Sequence, residues 1–319
     1  MAQIRELLEK LDPAERALLK QASHELSLRY RTGSYEEKPL SKFERYAYLL
    51  TRLPATLAAS AEVFLELKDR ALGFSPSSLV DIGSGPGTAS WAAQDLWPSI
   101  KEVQLLEKDQ EWIKLGQQLA KSHSLIGQGK WIEHNLMHNL PIEAADLLVA
   151  SYAFQELPLN RLLALVPELF LKTRQALVII EPGTPQGFQK IQMLRDSLIK
   201  QGAKILAPCP HELSCPMQGS DWCHFSTRLA RDKIHRQLKD ASLPYEDEKY
   251  AYLIAARDII AVKDYAARVI RSPIKRSGHI ILDLCTKIGL ERQVIARSQK
   301  ANFLEAKKSS WGQARENSF

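Results

Sequence analysis

The sequence predicts an α/β protein built on a doubly wound sheet, with a helical region before it and a cysteine-rich, basic region after it. Three observations carry this. Apolar strand segments alternate with helical segments between residues 78 and 184, a glycine-rich turn follows the first of those strands, and composition changes on either side. The expected divisions are 1–72, 73–203 and 204–319. At 319 residues, 45% of them hydrophobic, the chain can bury a sizeable core. No apolar run approaches the roughly 18 residues of a membrane span, so no membrane partner is expected.

The first segment, MAQIRELLEKLDPAERALLKQASHELSLRY, alternates acids and bases on amphipathic helices, with Asp12 as a cap and Pro13 as the first helical position. A mitochondrial leader would be poor in acids, so this segment is expected to belong to the mature fold of a cytoplasmic, monomeric protein. FERYAYLLTRLPATLAASAEVFLELKD continues as helix with a kink at Pro54, up to a linker at 73–78.

SLVDIGSGPGTASWAA, residues 78–93, is the first strand, turn and helix of the sheet. The strand ends in Asp81, glycines follow at 83, 85 and 87, and a helix begins near Thr88. Glycines let the backbone turn tightly and approach a ligand, and the helix start offers free amides. A dinucleotide fingerprint would place its third glycine one residue later, and a phosphate loop would need Gly-Lys-Ser/Thr. An acid followed by GxGxG is the arrangement used for S-adenosylmethionine, with Gly83, Ser84, Gly85, Pro86, Gly87 and Thr88 passing under its amino-acid portion. The sheet is therefore expected to be that of a class I S-adenosylmethionine-dependent methyltransferase.

The next strand, EVQLLEKD, ends in Glu107, 26 residues after Asp81 and placed to accept both ribose hydroxyls. WIEHNL, 131–136, is the third strand, leaving Asn135 near the adenine edge. DLLVASYAF, 146–154, is the fourth, with Ser151, Tyr152 and Phe154 able to line a cofactor or base pocket. NRLLALVPELFLKT supplies a helix, and ALVIIEPGT, 176–184, is the fifth strand, ending in Glu181 and a Pro-Gly turn. A catalytic residue is not assigned. SYAFQELP lacks the prolines of an amine-binding turn, and no cysteine nucleophile stands near this edge.

All four cysteines lie in the last 111 residues. Cys209, Cys215 and Cys223 are separated by five and seven residues in a stretch whose Pro208, Pro210, Pro216 and Gly219 forbid regular helix. Cys285 follows 62 residues later, in the apolar strand GHIILDLCT. An intracellular chain keeps thiols reduced, so a metal is favoured over disulfides. The CxxC knuckles usual for zinc are missing, although His211 and His224 could substitute as ligands. Four thiolates without knuckles suit an iron–sulfur cluster at least as well. The radical-enzyme pattern CxxxCxxC is absent, so the cluster is not expected to cleave a cofactor.

The charge excess is confined to the last 55 residues. Of 43 basic and 37 acidic residues, 11 basic and 4 acidic fall from Tyr265 onward, a net of +7 against −1 for the rest. The cations include Arg268, Arg271, Lys275, Arg276, Arg292, Arg297, Lys300, Lys307, Lys308 and Arg315, interleaved with Phe303 and Trp311. This pattern suits contact with a phosphate backbone and stacked bases.

From about residue 40 to 315 the chain resembles the methyltransferase-like family of small-ribosomal-subunit assembly proteins, known from mitochondria, as a bacterial member. The resemblance is carried by TRLPATLAA, LVDIGSGPGTASWAA, VIIEPGTPQGF, APCPHELSCP, DWCHFSTRL, KRSGHIILDLCT and SSWGQ. It implies that Cys209, Cys215, Cys223 and Cys285 hold a 4Fe-4S cluster. It also implies that the protein binds small-subunit ribosomal RNA, or its precursor particle, during assembly. Two other functions stay open: a non-catalytic RNA-binding assembly factor that keeps the fold, and a zinc-containing small-molecule methyltransferase.

Overall fold

A computed structural model describes residues 11–32, 40–121 and 123–316 of the chain. The sequence segment before residue 11 lies outside them. Helix α1 (Pro13–Thr32) opens as expected, with a reciprocal cap: Asp12 Oδ1 accepts the Glu15 N–H and Glu15 Oε2 accepts the Asp12 N–H. Helix α2 (Lys42–Ala47) runs through a π-helical turn at Tyr48–Arg52 into α3 (Leu53–Arg70). The expected kink at Pro54 is corrected here. Pro54 sits in the first turn of α3, where its missing N–H costs nothing, and the irregularity is the π turn just before it.

The main sheet has eight strands: β1 (Ser78–Ile82), β2 (Glu102–Glu107), β3 (Lys130–Glu133), β4 (Ala145–Ser151), β5 (Thr173–Pro182), β6 (Lys204–Ala207), β7 (Phe225–Ala230) and β8 (Tyr245–Ala256). Their order is β3-β2-β1-β4-β5-β8-β6, with β7 also paired to β8. The first five run parallel, whereas β8 lies antiparallel to β5, β6 and β7. The central strands read as apolar runs because both faces are covered. Val63, Phe64 and Leu67 of α3, with Ala89 and Ala93 of α4 (Thr88–Leu96), pack on one face. Helices α7 (Leu159–Lys172) and α8 (Pro185–Lys200) pack on the other, through Leu165, Leu169, Leu194 and Leu198. Helix α3, grouped by sequence with a cap region, is thus a layer of the sheet's own core. Between these lie α5 (Gln110–Leu119) and α6 (Ser124–Gly127).

Two strand ends fall short of expectation, and each has a local cause. The third strand stops at Glu133, because exposed Asn135 turns the chain by accepting the Met137 N–H on its own Oδ1 (3.0 Å). The fourth stops at Ser151, because Tyr152 takes a left-handed backbone, φ +57°.

After α9 (Lys233–Leu238) and a short pairing of Ala261–Val262 with Ala71–Leu72, a second, five-stranded antiparallel sheet follows. It is formed by β9 (Ala267–Val269), β10 (Ile274–Lys275), β11 (His279–Thr286), β12 (Gly289–Ala296) and β13 (Ala314–Arg315), with α10 (Ala301–Lys308) against it. Its own core contains Val269, Leu282, Leu284, Ile295 and Phe303. Among the described residues no helix is long and apolar enough to cross a membrane.

Candidate functional site

The glycine loop leaves β1 over a bare stretch of backbone. Gly85 has φ +53° and nothing stands within 4 Å of where a Cβ would be, whereas a Cβ on Gly83 would lie 2.7 Å from the Ala153 side chain. Gly83 therefore fits the loop to the neighbouring strand, and Gly85 faces open space. Ser84 Oγ and Thr88 Oγ1 are buried without a hydrogen-bond partner. Unmet buried hydroxyls are uncommon, and each calls for a ligand or water. Glu107 stands beside them, accepting the Gly85 N–H on Oε2 (2.8 Å) and the Asp109 N–H on Oε1 (2.9 Å). Burial raises its pKa. Asp81 accepts both the N–H (3.0 Å) and the hydroxyl (2.7 Å) of Ser90, pinning the first turn of α4, and burial pushes it up to about 6. Bare backbone, two unmet hydroxyls and an adjacent acid fit the amino-acid and ribose ends of S-adenosylmethionine. Pro86 and Gly87 complete the loop, while Ser151 Oγ lies 3.1 Å from Ser60 Oγ on α3.

The edge beyond β4 holds a network that sequence reasoning missed. Tyr152 donates its hydroxyl to Glu248 Oε1 (3.1 Å), and Arg52 of the π turn grips both oxygens of Glu248 (3.0 and 2.9 Å). These residues are about 100 positions apart in each direction, and no local pattern joins them. Phe154, expected to line a pocket, is fully buried in the core under α7 and α8. It cannot face a cofactor.

Glu181, at the end of β5, is 0% exposed and accepts from the Phe154 N–H (3.2 Å) and the Gln155 amide. Burial pushes its pKa from 4.5 to about 7, partly offset by Lys190. The folded state therefore holds this proton more tightly than the unfolded chain. Its contribution to stability is full below about pH 4.5 and is lost as pH rises through about 7. The 2.5-unit displacement caps the effect at about 3 kcal/mol. Glu181→Gln should accordingly gain Tm relative to wild type between pH 5 and 8; an identical Tm difference at both pH values would contradict the assignment.

The four cysteines line one cavity of about 40 Å³ between α8, the 208–224 loop and β11. Its walls include Phe188, Ile191, Met217, Leu253 and Ile270, with two buried arginines, Arg195 and Arg268. Cys285 sits on β11 directly across from Arg268 on β9. Burial, and then the neighbouring Cys209 and Cys215, push the Cys285 thiol up to about 12; burial likewise raises Cys209 and Cys223. His211 Nε2 lies 3.6 Å from Cys285 Sγ. His224 is stacked on Trp222 and edge-on to Trp311, and does not line the cavity. Among the described residues no group of three or more His, Cys, Asp or Glu is gathered so that it could hold one metal ion.

The basic segment is only partly a surface. Arg268, expected to contact phosphate, is 1% exposed. It donates to Pro208 O, Gly312 O and Glu66, so strand alternation has turned it inward. Arg315 is likewise buried and paired with Glu305. Phe303 belongs to the second sheet's core, and Trp311 packs against His224, so neither presents a free face for stacking. Arg271 pairs with Asp221, and exposed Arg292 with Asp283 (2.7 Å). Lys275, Arg276, Arg297, Lys300, Lys307 and Lys308 are exposed.

A seven-strand order with an antiparallel strand inserted beside β5, and a glycine loop facing an acid on the next strand, define a class I methyltransferase fold. The chain belongs to the family described as mitochondrial small ribosomal subunit Rsm22, whose profile matches residues 42–315. It is 27% identical over 303 residues to the human mitochondrial ribosome assembly protein METTL17, covering 90% of this chain and 65% of that one. To the fission yeast mitochondrial Rsm22-cox11 tandem protein 2 it is 24% identical over 330 residues, covering 83% and 42%. The chain thus spans less than two thirds of either relative. Among solved structures, magnesium protoporphyrin IX methyltransferase from Synechocystis with bound SAM superposes with a TM-score of 0.41 at 13% identity, over 78% of this chain and 98% of that one.

Proposed function

We propose that this chain binds S-adenosylmethionine on the loop from Gly83 to Thr88 with Glu107, holds a 4Fe-4S cluster on Cys209, Cys215, Cys223 and Cys285, and engages small-subunit ribosomal RNA or its precursor particle during assembly. What carries the reading is the convergence of the four cysteines, distant in sequence, on one buried cavity. A single tetrahedral zinc, with Zn–S near about 2.3 Å, draws its sulfurs within roughly 4 Å of one another. The cysteines here surround a wider space and do not form a one-ion group, which supports a cluster over zinc. The cluster would tie the 208–224 loop to β11, and so fix the second sheet relative to the main one. The family and the printed names of the relatives support the ribosomal partner.

A non-catalytic scaffold is the second reading, favoured by the β4 edge. There Glu248 is taken by Arg52 and Tyr152, and Glu181 by Phe154 and Gln155, so both carboxylates are engaged by the chain itself. Transfer of label from methyl-labelled S-adenosylmethionine to ribosomal particles supports the enzyme; tight binding without transfer supports the scaffold.

RNA contact is tested by salt. Affinity for small-subunit ribosomal RNA should fall steeply with salt, and Lys275→Ala with Arg276→Ala should flatten the log–log slope by about 1.5 to 2. A slope unchanged by the pair would remove these residues from the interface.

A further inference from the structure

We propose that Arg195 is the electrostatic partner of the cysteine-held group, donating an N–H···S hydrogen bond and a buried positive charge that raise its reduction potential and slow its loss. This rests on the cluster reading above. Arg195 comes from α8, is 2% exposed, and lines the cavity with all four cysteines. One of its terminal nitrogens donates to the carbonyls of His211 (2.7 Å) and Leu213 (2.8 Å), both between Cys209 and Cys215. Arg195 therefore shapes the loop that presents two of the sulfurs.

Its remaining valences point to a missing anion. Nη1 meets Asp196 at 3.2 Å, but that carboxylate is half-exposed to water and screened by it. Nε is buried with no partner in the protein. Arg268, on the opposite wall, differs: Nε, Nη1 and Nη2 are each taken, and Glu66 (2.6 Å) neutralises it. An under-compensated buried guanidinium costs several kcal/mol, on the order of the penalty for any desolvated ion. Four protonated thiols do nothing to offset it. Four thiolates around iron and sulfide carry net negative charge, which would sit against the guanidinium. Cys209 already responds to Arg195 both as a charge and as a hydrogen-bond donor.

The redox consequence follows from charge. Reduction adds one electron to the cluster, with dithionite as the donor in a titration, and no proton or ligand need move. A fixed positive charge and an N–H···S bond stabilise the more negative, reduced form. Arg195 acts through the sulfurs and is thus a positioning and tuning residue.

The test compares anaerobically reconstituted wild type, Arg195→Lys and Arg195→Gln by dithionite titration followed by EPR, and by the rate of iron release to a chelator. The potentials should fall in the order wild type, Lys, Gln, and Gln should release iron about tenfold faster. A purely structural role would alter loading without ordering the potentials. Either variant, once loaded, matching the wild-type potential would overturn the proposal. If the Gln variant fails to load, the Lys variant alone decides it. A wild-type chain that takes up no iron and sulfide, or only zinc, refutes the cluster reading instead, and is recognised because there is then no potential to compare.

Discussion

Cys215→Ser is expected to yield protein without its cluster, less stable and weaker in RNA binding. Four cysteines from three separate segments meet at one cavity, so the group they hold links the 208–224 loop to β11. Binding energy of such a group is folding energy, and losing it leaves the apolar cavity with its two arginines. The cost is expected to be about 3 kcal/mol or more, in the range of lost metal or core contacts. For a chain of this size that corresponds to a Tm drop on the order of 5–10 °C. RNA affinity should fall with it, because the second sheet that carries Lys275 and Arg276 is anchored through Cys285. Wild-type-like melting and RNA affinity in this variant would refute a structural role for the group.

Gly85→Ala should abolish measurable cofactor binding while leaving the fold in place. Its backbone sits at φ +53°, and its Cβ would project into open space. The left-handed conformation costs an alanine about 1–2 kcal/mol. The methyl group would then occupy the space that the loop leaves for a ligand. The dissociation constant for S-adenosylmethionine should rise by more than about tenfold, that is more than 1.4 kcal/mol, with melting of the ligand-free protein little changed. Gly83→Ala is the contrasting control. Its Cβ would meet Ala153 at 2.7 Å, so it should lower stability as well as affinity. Equal affinity for Gly85→Ala and wild type, measured by calorimetry, would remove the loop from the cofactor site.

The sheet was legible in the sequence because parallel strands buried on both faces leave unbroken apolar runs, and the glycine spacing marks the turn. The cysteines were legible through their proline-rich surroundings. What could not be read depends on contacts between distant segments. Arg195 joins the cysteine cavity only when α8 packs beside the loop, and Arg52 reaches Glu248 across 196 positions. Arg268 was misplaced because a count of basic residues ignores strand alternation: β9 is buried throughout. Phe303 was misplaced in the same way, its face of α10 being turned into the second sheet's core. The expectations of a bacterial source and a cytoplasmic compartment leave no mark on the fold, and the two relatives described above are mitochondrial by name.

The most direct measurement is anaerobic purification followed by iron, sulfide and zinc analysis with a visible absorbance spectrum. The account predicts brown protein with iron matching sulfide at about four of each per chain, and the broad visible band of thiolate-held iron. Colourless protein with one zinc per chain, unchanged after reconstitution with iron and sulfide, would contradict it.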